Sequence, residues 1–157
     1  MIPFRRSRTV LLPLLLGVVA AADLAAQDPG ERFGEWRMDS DRPAPYSNIM
    51  TYEPWGDGGM AITVTTTNAQ GEESAWGYHT LFDGVFRPVW GQEDAETSVE
   101  WVDERTTRIT NMRDGRVQQV IINTLSGDGD VIDNEYVRLD PEGKVTGVGH
   151  ATYRRIR

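Results

Sequence analysis

The sequence predicts an all-β domain: an antiparallel up-and-down meander of about ten strands that curls into a closed or nearly closed barrel. Three observations lead there. Apolar residues recur at period two, most clearly where Met60, Ile62 and Val64 alternate with Ala61, Thr63 and Thr65. Short turns rich in Gly and Asp punctuate the segments, as at Asp83-Gly84, Asp114-Gly115 and Gly127-Asp128-Gly129. No sustained helical period follows residue 26. A long meander gains by closing on itself, because closure removes both exposed edges.

The elements follow in chain order. Residues 28–32 are a polar lead-in, and 33–38 (Phe-Gly-Glu-Trp-Arg-Met) read as a first strand. Pro43 and Pro45 make 39–47 a loop rather than a helix. A second strand starts at 49–52, and 53–59, with Pro54 and three glycines, reads as a turn. The amphipathic strand 60–67 comes next. Residues 73–91 read as one long hairpin, with Trp76, Tyr78, Thr80 and Phe82 on one face and Asp83-Gly84 as its tight turn; Phe86, Pro88 and Trp90 lie on the return arm. Five of the fourteen aromatic residues fall in this stretch, so the core is expected to be thickest there. Strands at 97–102, 106–112, 117–124, 131–139 and 145–156 complete the chain, with turns at 103–105, 113–116, 126–130 and 140–143.

The first 26 residues stand apart. Arg5, Arg6 and Arg8 precede an apolar run at 10–22, and small residues lead up to Gln27. That is the layout of a secretory signal peptide, with cleavage expected after Ala26 and the barrel domain spanning 27–157. The apolar run is short for a stable membrane span, although retention as an anchor is the alternative. The expected localisation is periplasmic or secreted. With no cysteine, the exported domain relies on its core alone, without disulfides or thiolate chemistry. The net charge is −8 overall and +2 over residues 1–26, which leaves −10 on the domain. Such a surface repels phosphate backbones and anionic lipid, so nucleic acid is not an expected partner.

Gly34-Glu35-Trp36 on the first strand resembles the Gly-x-Trp signature of lipocalins and their calycin relatives. Tyr52-Glu53-Pro54 with Gly56-Asp57-Gly58, Phe82-Asp83-Gly84 with Pro88-Val89-x-Gly91, Asp114-Gly115 and the final Tyr153-Arg154 extend the likeness to exported bacterial lipocalin-like proteins over nearly the whole domain. The resemblance implies a tryptophan, Trp36, packed across the closed end of the barrel under an arginine from the last strand, Arg154 in the set 153–155. It also implies a small apolar ligand inside. Two departures stand out. The chain ends in a strand, where lipocalins carry a helix late in the sequence. Residues 39–47 are too short and too proline-rich for the helical lid of fatty-acid-binding relatives.

The residues expected to line a ligand pocket are Ile62, Val64, Trp76, Tyr78, Phe82, Trp101 and Tyr136, with Trp90 nearby. Ten strands enclose more space than eight, which side chains just fill, so the interior is either hollow or packed solid. Chemistry is poorly represented. His79 and His150 are the only histidines and form no ligand motif, and no serine sits in a Gly-x-Ser-x-Gly elbow. Asp128, Asp130, Asp133 and Glu135 gather around a glycine turn but miss the EF-hand spacing, which makes a solvated turn the better reading. No catalytic residue, metal or cofactor is expected. A second functional class is an interaction subunit docking on an envelope protein, motivated by the acidic surface and by Trp55 and Trp90 beside turns.

Overall fold

The computed structural model describes residues 28–157. The expected leader, 1–26, lies outside the described residues. After a single 3-10 turn at Pro29–Arg32, ten strands follow: β1 Gly34–Met38, β2 Ser47–Trp55, β3 Gly59–Thr67, β4 Glu73–Thr80, β5 Arg87–Pro88, β6 Ala95–Trp101, β7 Thr106–Arg113, β8 Arg116–Leu125, β9 Val131–Leu139 and β10 Val145–Arg155. They form one antiparallel sheet in the order β4-β3-β2-β1-β10-β9-β8-β7-β6-β5. The first and last strands are therefore neighbours in the middle of the sheet, and its free edges are β4 and β5.

The edges meet through one bridge. Gly77 and Trp90 exchange both backbone hydrogen bonds, at 3.1 and 2.9 Å. Gly77 is required here: a Cβ would sit 2.2 Å from the Ile62 carbonyl oxygen and 2.8 Å from the Trp90 indole. The result is a nearly closed ten-stranded barrel with its apolar alternation turned inward. Trp36, Met50, Tyr52, Ile62, Val64, Tyr78 and Ile132 are all buried.

Two expectations about the strands need correction. Residues 73–91 are not one hairpin. β5 pairs with β6, not with β4. Asp83 explains the difference. Its carboxylate takes both Arg87 guanidinium nitrogens at 2.7 Å and the Val85 N–H at 3.1 Å, folding 82–87 into a loop that leads away from β4 and is tied to β6, where the Gly84 N–H donates to the Val99 carbonyl at 3.0 Å. The Arg87 hydrogen bonds hold the Asp83 carboxyl well below the usual carboxylate range. The turn expected at 53–59 is also shorter, because β2 runs through Pro54 and Trp55, which pair with Met60 and Gly59. Pro54 is tolerated there because β1 reaches only to Gly34, opposite Tyr52, so that flank of β2 is free beyond it.

One end of the barrel is plugged. Trp36 is wholly buried, and its indole N–H donates to the Arg32 carbonyl at 2.9 Å. The arginine over its ring is Arg155, 4.1 Å from the centroid, and not Arg154. Register decides which. Trp36 stands opposite Arg155, and residues opposite each other share a face, so Arg154 points outward with Arg37. Arg154 pairs instead with Asp39 on the surface. Arg155 also donates to the carbonyls of Phe33 at 2.7 Å and Gly129 at 2.8 Å. Gly34 lets the C-terminal backbone pass, since a Cβ would lie 2.2 Å from the Arg157 carbonyl oxygen.

A lysine cannot reproduce a planar fork that stacks and donates to several carbonyls at once. Arg155→Lys is therefore expected to destabilise the protein by roughly 2–3 kcal/mol. Arg154→Lys, on the surface, should cost under about 0.5 kcal/mol. Urea denaturation of both variants checks this; equal effects would contradict the assignment.

Candidate ligand cavity

The barrel interior is hollow. A cavity of about 490 Å³ opens away from the plugged end, within the usual range of roughly 300–1,000 Å³ for small-molecule sites. Space arises partly because β10 turns small residues inward: Gly147, Gly149 and Ala151 stand opposite Arg138, Tyr136 and Asn134 of β9.

The cavity has two unlike walls. On β2, β3 and β4 it is largely apolar, formed by Met50, Ile62, Val64, Trp76 and Tyr78 with Asn48 beside them. The Trp76 and Tyr78 rings stack at 6.4 Å. On β7, β8 and β9 amides stand among Ile109, Met112 and Ile121, and two hydrogen-bonded ladders satisfy them. In one, Thr97 donates to Asn111 at 2.9 Å, whose amide donates to Gln119 at 3.0 Å. The other starts at the closed end. The Arg32 guanidinium donates to the Asn123 side chain, Asn123 donates to Asn134 at 2.7 Å, and Asn134 donates to the Tyr136 hydroxyl at 3.2 Å. Among the described residues no buried side-chain polar atom lacks a partner. A buried amide row of this kind is tolerable only when fully connected.

Arg32 anchors that ladder. It is 2% exposed, gives a further hydrogen bond to the Arg105 carbonyl at 2.6 Å, and lies 5.5 Å from the Trp101 ring centroid. Burial lowers its pKa, and the nearby Tyr52 and Asp103 oppose that shift.

Five of the seven expected pocket residues line the cavity: Ile62, Val64, Trp76, Tyr78 and Tyr136. Phe82 and Trp101 do not. They stack on each other at 4.5 Å, with Arg32 on Trp101, and belong to the plug. Trp90 is 46% exposed on the outside of the seam. Trp55 is also partly exposed and stacks on His79 at 4.6 Å. His150 lies beside Asp133, on another strand from His79, and the described residues contain no group of three metal-binding side chains. Ser126 donates to Asp128 in the turn, and Thr152 donates to Asp133, which lies on β9. The amide wall was missed, yet it left a signal. Asn123 lies in phase with Ile121 and Leu125, and Asn134 with Ile132 and Tyr136, so polar residues occupy inward positions.

No family model and no curated protein matches the chain. Among solved structures it is similar to a variant of the fluorescent protein UnaG, with TM-score 0.58 and 9% identity over 82% of this chain and 98% of that one. Wild-type UnaG gives TM-score 0.55 and 12% identity over 82% and 99%. A Schistosoma mansoni fatty-acid-binding protein in complex with arachidonic acid gives TM-score 0.55 and 13% identity over 87% and 100%. At such identities the likeness shows the fold: a calycin-type barrel.

Burial of the cavity phenols has a pH consequence. Loss of hydration pushes Tyr52 up to about 12 from 10.0, with the Arg32 charge opposing, and also raises Tyr78 and Tyr153. A phenol harder to ionise folded than unfolded stabilises the fold fully below its unfolded pKa, and that contribution is lost as pH rises through the folded value. The melting temperature should therefore fall steeply between pH 10 and about 12, with the phenolates of Tyr52, Tyr78 and Tyr153 appearing together with unfolding. Tyr52→Phe should shallow that fall. Ionisation of Tyr52, Tyr78 or Tyr153 well before any loss of structure would contradict the burial of these rings.

Proposed function

We propose that the protein binds a small apolar molecule inside its barrel and works as a carrier or store, without catalysing a reaction. The observation that carries this reading is the 490 Å³ cavity with one continuous apolar wall. Transfer of an apolar body from water to such a wall is favourable by about 25 cal/mol per Å² of buried area. The shared fold of a fatty-acid-binding protein in complex with arachidonic acid supports it. The reading includes export: the leader 1–26 would place the barrel outside the cytoplasm, where an apolar molecule needs a carrier through water. N-terminal sequencing of the protein recovered from the envelope or medium of an expressing bacterium tests that part, with Gln27 as the expected first residue.

The binding itself is tested by native mass spectrometry with long-chain fatty acids, quinones, carotenoids and haem. A one-to-one adduct with at least one class is expected. Val64→Trp, which fills the apolar wall, should weaken that adduct by at least about tenfold while the far-ultraviolet circular dichroism stays that of a β protein. No adduct from any class, or an adduct indifferent to the filled wall, would contradict the proposal.

A further inference from the structure

We infer that the cavity takes an amphipathic anion, with its apolar body against β2, β3 and β4 and its anionic group held by Arg138 at the open end. The inference rests on the proposed binding in the cavity and adds the chemistry and direction of the ligand. Arg138 lies one residue from the end of β9, and by alternation its side chain shares the inward face of Ile132, Asn134 and Tyr136. Its neighbours across the two ladders are Gln119 on β8 and Gly147 on β10. Neither is an acid. The guanidinium spreads over Gly147 and Gly149, where an added Cβ would lie 3.7 and 3.6 Å from its nitrogens. No side chain from β10 covers it.

Its lack of a carboxylate partner matters because of where it stands: of the described arginines without an ion pair, only Arg113 and Arg138 line the cavity. Acids outnumber bases by 24 to 16. Arg87, Arg105, Arg108, Arg154, Arg155 and Arg157, half of the twelve described arginines, each meet a carboxylate. Arg138 has no ion-pair partner among the described residues, although Glu96 lines the same cavity. Arg113, the other cation of the lining, is occupied by Gln92 at 2.9 Å.

The direction of binding follows from which cations remain open. At the closed end Arg32 and Arg155 spend their donors on Asn123 and on backbone carbonyls. An anion driven to that end would lose its water and find those donors taken, which is costly for a buried charge. At the mouth it keeps part of its hydration and gains a planar two-pronged donor suited to carboxylate, sulfonate or phosphate.

A matched pair of fluorescent probes tests this with the whole chain: anilinonaphthalene sulfonate and uncharged phenylnaphthylamine, alike in aromatic body and differing in the anionic group. The sulfonate is expected to bind more tightly, by roughly tenfold at low salt, and the advantage should shrink as salt rises. Arg138→Gln should abolish the advantage and leave the uncharged probe unchanged, whereas Arg138→Lys should keep part of it. Val64→Trp should weaken both probes. If the uncharged probe binds but Arg138→Gln leaves the sulfonate affinity unaltered, or weakens both probes equally, the assignment of Arg138 is overturned and the apolar cavity stands. If neither probe binds, the cavity reading itself falls.

Discussion

The stacking of Arg155 on Trp36 holds the barrel where its first and last strands meet across a short ladder. β1 is five residues long and pairs with β10 through only three residue pairs, yet this junction sits in the middle of the sheet. Backbone hydrogen bonds alone tie the two halves poorly at that point. The guanidinium compensates by covering the indole at 4.1 Å and by drawing the Phe33 and Gly129 carbonyls to the same place. It thereby joins the 3-10 turn, β1, β10 and the β8–β9 loop in one contact. Gly34 is part of the same device, because it admits the C-terminal backbone, whose Arg157 carbonyl accepts the Glu35 N–H at 2.8 Å.

With one end sealed, the other end and the middle are released from closing the barrel. Ten strands give a circumference that the inward side chains do not fill. Glycines and an alanine on β10 leave room where β9 offers long polar groups. The amide wall is costly to bury but fully connected, and its ladder begins at a cation, which polarises each amide in turn. The apolar wall opposite carries no such requirement. A ligand lying between them meets hydrocarbon on one side and fixed hydrogen-bonding groups on the other.

Much of this was legible in the amino-acid sequence. Period-two alternation and turn chemistry located all ten strands, and Val131–Leu139 was delimited to the residue. Trp36 was assigned to the closed end, where it lies. The errors have physical causes. Choosing Arg154 over Arg155 is a register question, and a single residue reverses the face in a strand; only the pairing with Trp36 decides it. The hairpin expected at 73–91 has the right aromatic alternation, but a carboxylate–guanidinium clamp four residues apart outweighs the local turn preference of Asp83-Gly84. Phe82 and Trp101 share the inward phase with true cavity residues, and sequence alternation carries no information on depth along the barrel. Asn123 and Asn134 were visible as polar residues in apolar phase, but the buried cation that makes them affordable lies 91 residues away from Asn123.

The central claim is the plug, and nuclear magnetic resonance of the Trp36 indole tests it most directly. Its N–H is buried and bonded to the Arg32 carbonyl at 2.9 Å, beneath the Arg155 guanidinium. The account predicts that this proton exchanges with solvent only on global unfolding, and that the Arg155 side-chain protons are shifted upfield by the ring current, with cross-relaxation linking the two groups. A Trp36 indole proton exchanging as fast as that of exposed Trp90, with unshifted Arg155 resonances, would contradict it.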